Sequence, residues 1–146
     1  MNQNSSPNFA IRQFVPNDTN RVIFIWEQCD LVRNWNNPNF DIRRKLNFQK
    51  ELFFVGSLND EIIATAMFGY DGHRGWLNYF AVLPNFQKRG YGKQLMTFGE
   101  MALIEKGCPK LNLQIRNDNT KAINFYQKFG YKEDAAVNFG KRLIED

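Results

Sequence analysis

The residues best suited to chemistry lie in one run: Phe80-Ala81-Val82-Leu83-Pro84-Asn85-Phe86-Gln87-Lys88-Arg89-Gly90-Tyr91-Gly92-Lys93. The run reads as an apolar strand, a basic glycine loop and the start of a helix. The chemistry that such a loop suits is anion binding. The first amides of a helix lack intrahelical partners, and the helix dipole places partial positive charge there. Gly90 and Gly92 let the backbone turn sharply and let a ligand approach with no Cβ in the way. Lys88, Arg89 and Lys93 add full charges, so a phosphate or pyrophosphate is the expected guest.

The spacing excludes two common phosphate loops. In a G-x-x-x-x-G-K-[ST] loop ending at Gly92-Lys93, the first glycine would fall at Gln87, and Gln94 stands where Ser or Thr is needed. In a G-x-G-x-x-G fingerprint the third glycine would fall at Leu95. What remains is Gln87-x-x-Gly90-x-Gly92.

Elements must position this loop. Phe9 to Val15 reads as a first strand. Asn17 or Asp18 caps a helix whose apolar stripe is Val22, Ile25, Trp26 and Cys29. Asn34 to Asn39 reads as a loop, after which Asp41 caps a short basic helix with Ile42 and Leu46. Leu52–Ser57, Glu61–Tyr70 and Trp76–Leu83 read as a strand meander turned at Asn59-Asp60 and at Asp71–Gly75. A helix from Gly92 to Lys106 ends at Gly107 and Pro109. Leu111, Leu113 and Ile115 alternate as a strand, and a helix runs from Asn119 or Thr120 to Gly130. At least one more strand is expected before Leu143. The order is β-α-α-β-β-β-α-β-α-β, an α/β chain with one mixed sheet and helices on both faces. The strand–loop–helix–strand unit from Trp76 to Ile115 makes its two strands parallel.

Composition narrows the class. At 146 residues the chain is expected to form one domain over residues 9–146, behind a polar tail at residues 1–8. Hydrophobic content of 43% and charge of 23% are ordinary for a globular protein. No apolar stretch reaches the length of a membrane span, and the polar start is unlike a signal peptide. Cys29 and Cys108, with no secretory signal, read as free thiols of a cytoplasmic protein. Two Cys and the lone His73 make no metal site. The net charge of +4 fits either a nucleic-acid binder or the holder of a polyanionic small ligand. Basic residues are scattered, and the aromatics sit in apolar elements, which favours the small ligand.

The segment Gln87-x-x-Gly90-x-Gly92 resembles motif A of the GNAT acyltransferases, which cradles the pyrophosphate of acetyl-CoA. A second run, Asn119-Thr120-Lys121-Ala122-Ile123-Asn124-Phe125-Tyr126-Gln127-Lys128-Phe129-Gly130-Tyr131, is similar to motif B of the same family. The element order is also the family's order. Narrower segments, Trp26–Leu31, Gly69–Gly75 and Gly140–Asp146, resemble the YpeA type of bacterial member.

The resemblance implies a fold and a reaction. The parallel strands Trp76–Leu83 and Leu111–Ile115 splay, and the pantetheine arm enters the split against the main chain of Phe80, Ala81 and Val82. The pyrophosphate then sits on amides from Lys88 to Lys93, in the loop formed by Gln87, Lys88, Arg89, Gly90, Tyr91, Gly92 and Lys93. Asn119 bonds the arm from the far side. An amine attacks the thioester directly, a backbone N–H near Val82 steadies the oxyanion, and Tyr126 is the general acid facing the leaving sulfur.

The base is open. Many family members place a carboxylate on the strand before the glycine loop, and Trp76-Leu77-Asn78-Tyr79-Phe80 carries none. Glu27, Asp30, Asp71, His73 or a water chain are the alternatives; turn chemistry accounts equally for Asp71 and His73. The acceptor is expected between residues 26–40 and the turn 71–75. There Asp30 could hold an ammonium and Arg33 a carboxylate, with Trp35 beside them. The partners implied are acetyl-CoA and an amine, with no metal, nucleic acid or membrane; a homodimer is allowed. The competing readings are a non-catalytic acyl-CoA-binding or sensor module and, more remotely, a nucleic-acid-binding domain.

Overall fold

A computed structural model describes residues 8–146; most of the polar tail expected over residues 1–8 therefore lies outside the described residues. The elements are β1 (Phe9–Gln13), α1 (Thr19–Gln28), α2 (Pro38–Leu46), β2 (Phe53–Leu58), β3 (Glu61–Tyr70), β4 (Gly75–Val82), α3 (Tyr91–Glu105), β5 (Leu111–Leu113) and α4 (Thr120–Lys128). They build one five-stranded sheet in the order β1-β2-β3-β4-β5. The first three pairings are antiparallel and β4–β5 is parallel, as a strand–helix–strand crossover requires.

Turn chemistry sets the meander. Asn59 and Asp60 both take positive φ, 51° and 68°, which short polar side chains tolerate and which suits the tight β2–β3 hairpin. At the β3–β4 turn Asp71 Oδ1 accepts from the amides of His73 and Arg74, each at 2.8 Å. Backbone amides of Arg74 and His73 hold the Asp71 carboxyl below its ordinary pKa.

Helices cover both faces. Thr65 and Phe68 differ in parity along β3, so they point to opposite faces. On one face α1 buries Val22, Ile25 and Trp26, and Trp26 Nε1 donates to the Thr65 hydroxyl at 2.9 Å. On the other face α3 lies so close that a Cβ on Gly99 would stand 2.0 Å from Phe68 Cζ. A glycine inside a helix is locally unfavourable; here it is the condition for helix–sheet contact. Asp18 precedes α1 without capping it through its side chain. Its carboxylate instead takes two bonds from Arg12, at 2.7 and 2.9 Å, and one from the Val15 amide at 2.9 Å.

Two expectations change. The second helix starts before Asp41. Asn37 Oδ1 accepts from the amides of Asn39 and Phe40 at 3.0 and 3.3 Å, and Pro38 fills the first helical position, where its missing N–H costs nothing. Asp41 thus stands inside the helix with its carboxylate free for other partners. The last expected strand is absent among the described residues, and 132–146 forms neither helix nor strand. β5 offers a ladder of only three residues. Val137, Phe139, Leu143 and Ile144 stay exposed, and the segment is tied down by polar ends instead: Asp146 to Arg44 at 2.5 Å and Arg142 to Asn36 at 2.9 Å. No helix among the described residues is long and apolar enough to cross a membrane.

Candidate active site

The site begins where the sheet opens. β4 pairs with β5 only at Gly75–Leu77 against Leu111–Leu113. The five residues Asn78 to Val82 run on with no β5 partner. At about 3.3 Å per residue the free edge is roughly 16 Å long. Phe80, Ala81 and Val82 therefore lie along the opening. Leu83 N–H is given to Ile63 O at 2.8 Å, on the β3 side. Backbone groups alternate sides along a strand, so those of Val82 turn toward the opening. Its carbonyl accepts from Gln87 Nε2 at 2.8 Å and Cys29 Sγ at 3.3 Å.

The glycine loop closes one end of the opening. Lys88 has φ of 63° and Gly90 has φ of 88°, so the chain makes two left-handed steps before α3. The first bond at this end of α3 is Gln94 N–H to Gly90 O at 3.1 Å. The amides of Tyr91, Gly92 and Lys93 therefore have no partner within the helix. Lys88, Arg89 and Lys93 are exposed around them, with the Arg89 guanidinium 5.6 Å from the Phe86 ring.

Several side chains in this loop do other work than the sequence suggests. The two glycines are not equivalent. A Cβ on Gly90 would meet nothing within 4 Å, whereas one on Gly92 would stand 3.3 Å from Phe80 Cζ and 3.5 Å from Phe125 Cζ. Gly90 thus leaves space open, and Gly92 lets two aromatic rings pack against the helix start. The Tyr91 side chain is buried, its ring 4.7 Å from that of Phe9, so only its amide can serve a ligand. Gln87 is engaged at both ends, since its Oε1 also accepts from Lys121 Nζ at 2.5 Å. Lys121, from α4, was not singled out in the sequence. Asn119 spends its Oδ1 capping α4, accepting from the Ala122 amide at 3.1 Å. Its NH2 group is the part left for a ligand.

Tyr126 sits in an aromatic wall. Its ring lies 6.1 Å from Phe80, 5.1 Å from Phe125 and 5.8 Å from Tyr131. Burial pushes its pKa well above the ordinary phenol value, and no charged neighbour contributes. The hydroxyl is therefore protonated at neutral pH, as a hydrogen-bond donor must be. Burial likewise pushes the Cys29 thiol up, against a smaller lowering by Lys121, so this thiol is a weak nucleophile.

The expected acceptor residues separate. Asp71 and His73 stand in the turn before Gly75, at the opposite end of β4 from Val82. Seven residue steps at about 3.3 Å, some 23 Å of extended strand, separate Gly75 from Val82. Asp30 and Arg33 pair with each other at 3.1 Å, with the Asp30 side chain exposed. Trp35 is half exposed, and the Arg116 guanidinium, from the segment after β5, lies 5.7 Å from its ring. These two join the α1–α2 loop to the β5–α4 loop.

The structure adds a group that spacing could not show. Tyr79, on the free edge of β4, donates from its hydroxyl to Asp41 Oδ2 on α2. Asp41 Oδ1 accepts from Arg44 at 3.0 Å, and Arg44 also holds Asp146. The partners Tyr79 and Asp41 are 38 positions apart, and no motif links them.

The GNAT family model, described as "Acetyltransferase (GNAT) family", matches residues 20–131. The chain belongs to this family. An acetyltransferase of Pectobacterium atrosepticum is 47% identical over 136 residues, 93% of this chain and 96% of that protein. Among solved structures, Ard1 from Thermoplasma volcanium superposes with a TM-score of 0.78 at 24% identity, over 87% of this chain and 84% of that one. An aminoglycoside acetyltransferase, AAC(6')-Iy, was solved with the bisubstrate analogue CoA-S-monomethyl-acetylneamine. It superposes with a TM-score of 0.72 at 18% identity, over 94% of this chain and 99% of that one. The protein is an acetyltransferase of the GNAT family with the family's mixed sheet.

Proposed function

We propose that this GNAT protein moves an acetyl group from acetyl-CoA directly to a primary amine. The observation that carries the reading is the free edge of β4 from Asn78 to Val82, which ends at the glycine loop. An extended pantetheine arm contains amides that satisfy such an edge. The pyrophosphate lies against the free amides of the α3 N-terminus, where the helix dipole and Lys88, Arg89 and Lys93 favour negative charge. The NH2 group of Asn119 faces the arm from α4.

With both substrates held together, positioning supplies much of the rate. The amine nitrogen attacks the thioester carbonyl. The Val82 N–H stabilises the oxyanion that forms. As the C–S bond breaks, Tyr126 gives its proton to the departing thiolate and regains one from solvent. The Cys29 thiol takes no covalent part. The acceptor enters from the side of α2 and the Trp35–Arg116 contact, away from His73.

The test is thiol release from acetyl-CoA by the purified protein with a panel of amines, beside calorimetric titration with acetyl-CoA. Amine-dependent release supports the reading. Tight binding without release for any amine would instead favour an acyl-CoA sensor, and failure to bind acetyl-CoA would remove the loop assignment.

A further inference from the structure

The amine loses a proton during transfer, and β4 carries no carboxylate between Trp76 and Val82 to take it. We propose that Asp41 takes this proton through the Tyr79 hydroxyl, so that α2 supplies the carboxylate missing from the strand. The inference rests on the amine-acetylation reading above.

The geometry of β4 explains why Tyr79 can serve. Opposite β3, Met67 pairs with Asn78 and Thr65 with Ala81, so β4 carries one extra residue at Tyr79–Phe80. Tyr79 takes φ of 51°, a left-handed conformation that a bulky residue adopts only under constraint. The constraint is visible. The Tyr79 carbonyl accepts from the Thr65 hydroxyl at 2.9 Å, and its ring stacks on Trp26 at 3.9 Å. This holds the ring on the α1–α2 side of the opening, while neighbouring Phe80 packs with Phe125 and Tyr126. Bulged residues re-aim side chains in this way. The phenol oxygen donates its proton to Asp41 and keeps lone pairs for a donor.

The charged groups around the pair are Asp41 and Arg44 on α2 and Asp146 on the C-terminal segment, with Arg142 beside Asp146. Arg44 bonds the second oxygen of Asp41 at 3.0 Å, which leaves Oδ2 to the Tyr79 hydroxyl. Burial first, and then Asp41, raise the Tyr79 pKa well above its ordinary value. Tyr79 is therefore a conduit and not a standing phenolate.

The protons balance. The C–N bond forms as the carbonyl electron pair moves to oxygen. The nitrogen passes a proton to the Tyr79 oxygen while Tyr79 passes its own to Asp41. The C–S bond breaks and Tyr126 protonates the thiolate. Asp41 then releases its proton to solvent, and Tyr126 is reprotonated.

The experiment compares Asp41→Asn, Asp41→Glu and Tyr79→Phe with the wild type. Thiol release is measured from about pH 6 to pH 10 with the fastest of glycinamide, putrescine, lysine and glycylglycine. Asp41→Asn should lower kcat by roughly 10²-fold at neutral pH, with acetyl-CoA affinity unchanged and the deficit shrinking toward high pH. Asp41→Glu should recover part of the rate. Tyr79→Phe keeps the ring on Trp26 and should lose rate similarly, which covers the case in which Asp41→Asn fails to fold. Wild-type pH profiles in folded Asp41→Asn or Tyr79→Phe overturn the relay and leave the amine reading standing. Wild-type protein that binds acetyl-CoA yet acetylates none of the four amines overturns that reading, and the relay falls with it.

Discussion

Gly90 and Gly107 offer a matched pair for separating backbone strain from ligand binding. Gly90 has φ of 88° before α3 and Gly107 has φ of 82° after it. A Cβ at either would meet nothing within 4 Å, so neither substitution to alanine clashes with the protein. Each forces an L-residue into the left-handed region, at roughly 1–2 kcal/mol. For a chain of this size that is a fall in Tm of about 2–8 °C. The two variants should therefore be destabilised alike. They should differ in acetyl-CoA binding, because the proposed function puts the pyrophosphate in the open space at Gly90, whereas Gly107 lies at the far end of the helix. Gly90→Ala should weaken acetyl-CoA at least tenfold, about 1.4 kcal/mol, and Gly107→Ala should leave affinity unchanged. Thermal melts and calorimetric titration of both variants give the comparison. Equal affinity for the two, with equal melting points, would show that the space beside Gly90 holds no part of the ligand.

Tyr126→Phe keeps the aromatic wall and removes only the hydroxyl, so initial-rate thiol release should show kcat reduced by roughly 10²-fold or somewhat less with KM for acetyl-CoA unchanged. A rise in KM alone would recast Tyr126 as a wall of the pocket. Burial acts to raise the Asp18 carboxyl pKa, but bonds from Arg12 and the Val15 amide outweigh it and hold the value below the ordinary one. The unfolded chain then binds the extra proton, so this contribution is present above about pH 4 and is lost as acid reaches the lower folded value. Urea titrations of Asp18→Asn should show a flatter dependence of stability on pH between about pH 5 and pH 2, and an unchanged slope would refute the pairing. Gly99→Ala drives a methyl to 2.0 Å from Phe68 Cζ and should cost about 1–3 kcal/mol in denaturant unfolding, with Phe68→Leu in the same chain recovering part.

Local chemistry wrote much of this architecture into the sequence. The period-2 and 3.6 patterns, the Asn59-Asp60 and Asp71–Arg74 turns and the glycine loop each report interactions among near neighbours, and they place β3 at Glu61–Tyr70 as the structure has it. The loop and Tyr126 were legible for the same reason, because motifs are local. Pairing across distance was not. Gln87 with Lys121 and Asp41 with Tyr79, 34 and 38 positions apart, depend on where α2 and α4 settle on the sheet. A side chain's charge and donors are set by its type, but what it spends them on is set by the residue packed opposite. The missing final strand has the same cause, since Val137 and Phe139 carry strand-like chemistry while a three-residue β5 leaves too little edge to pair with. Residue types thus determined which groups could bind an anion or move a proton. Tertiary packing decided that the two glycines have different tasks, that the His73 turn and Val82 stand at opposite ends of β4, and that a carboxylate from a helix stands at the strand that lacks one.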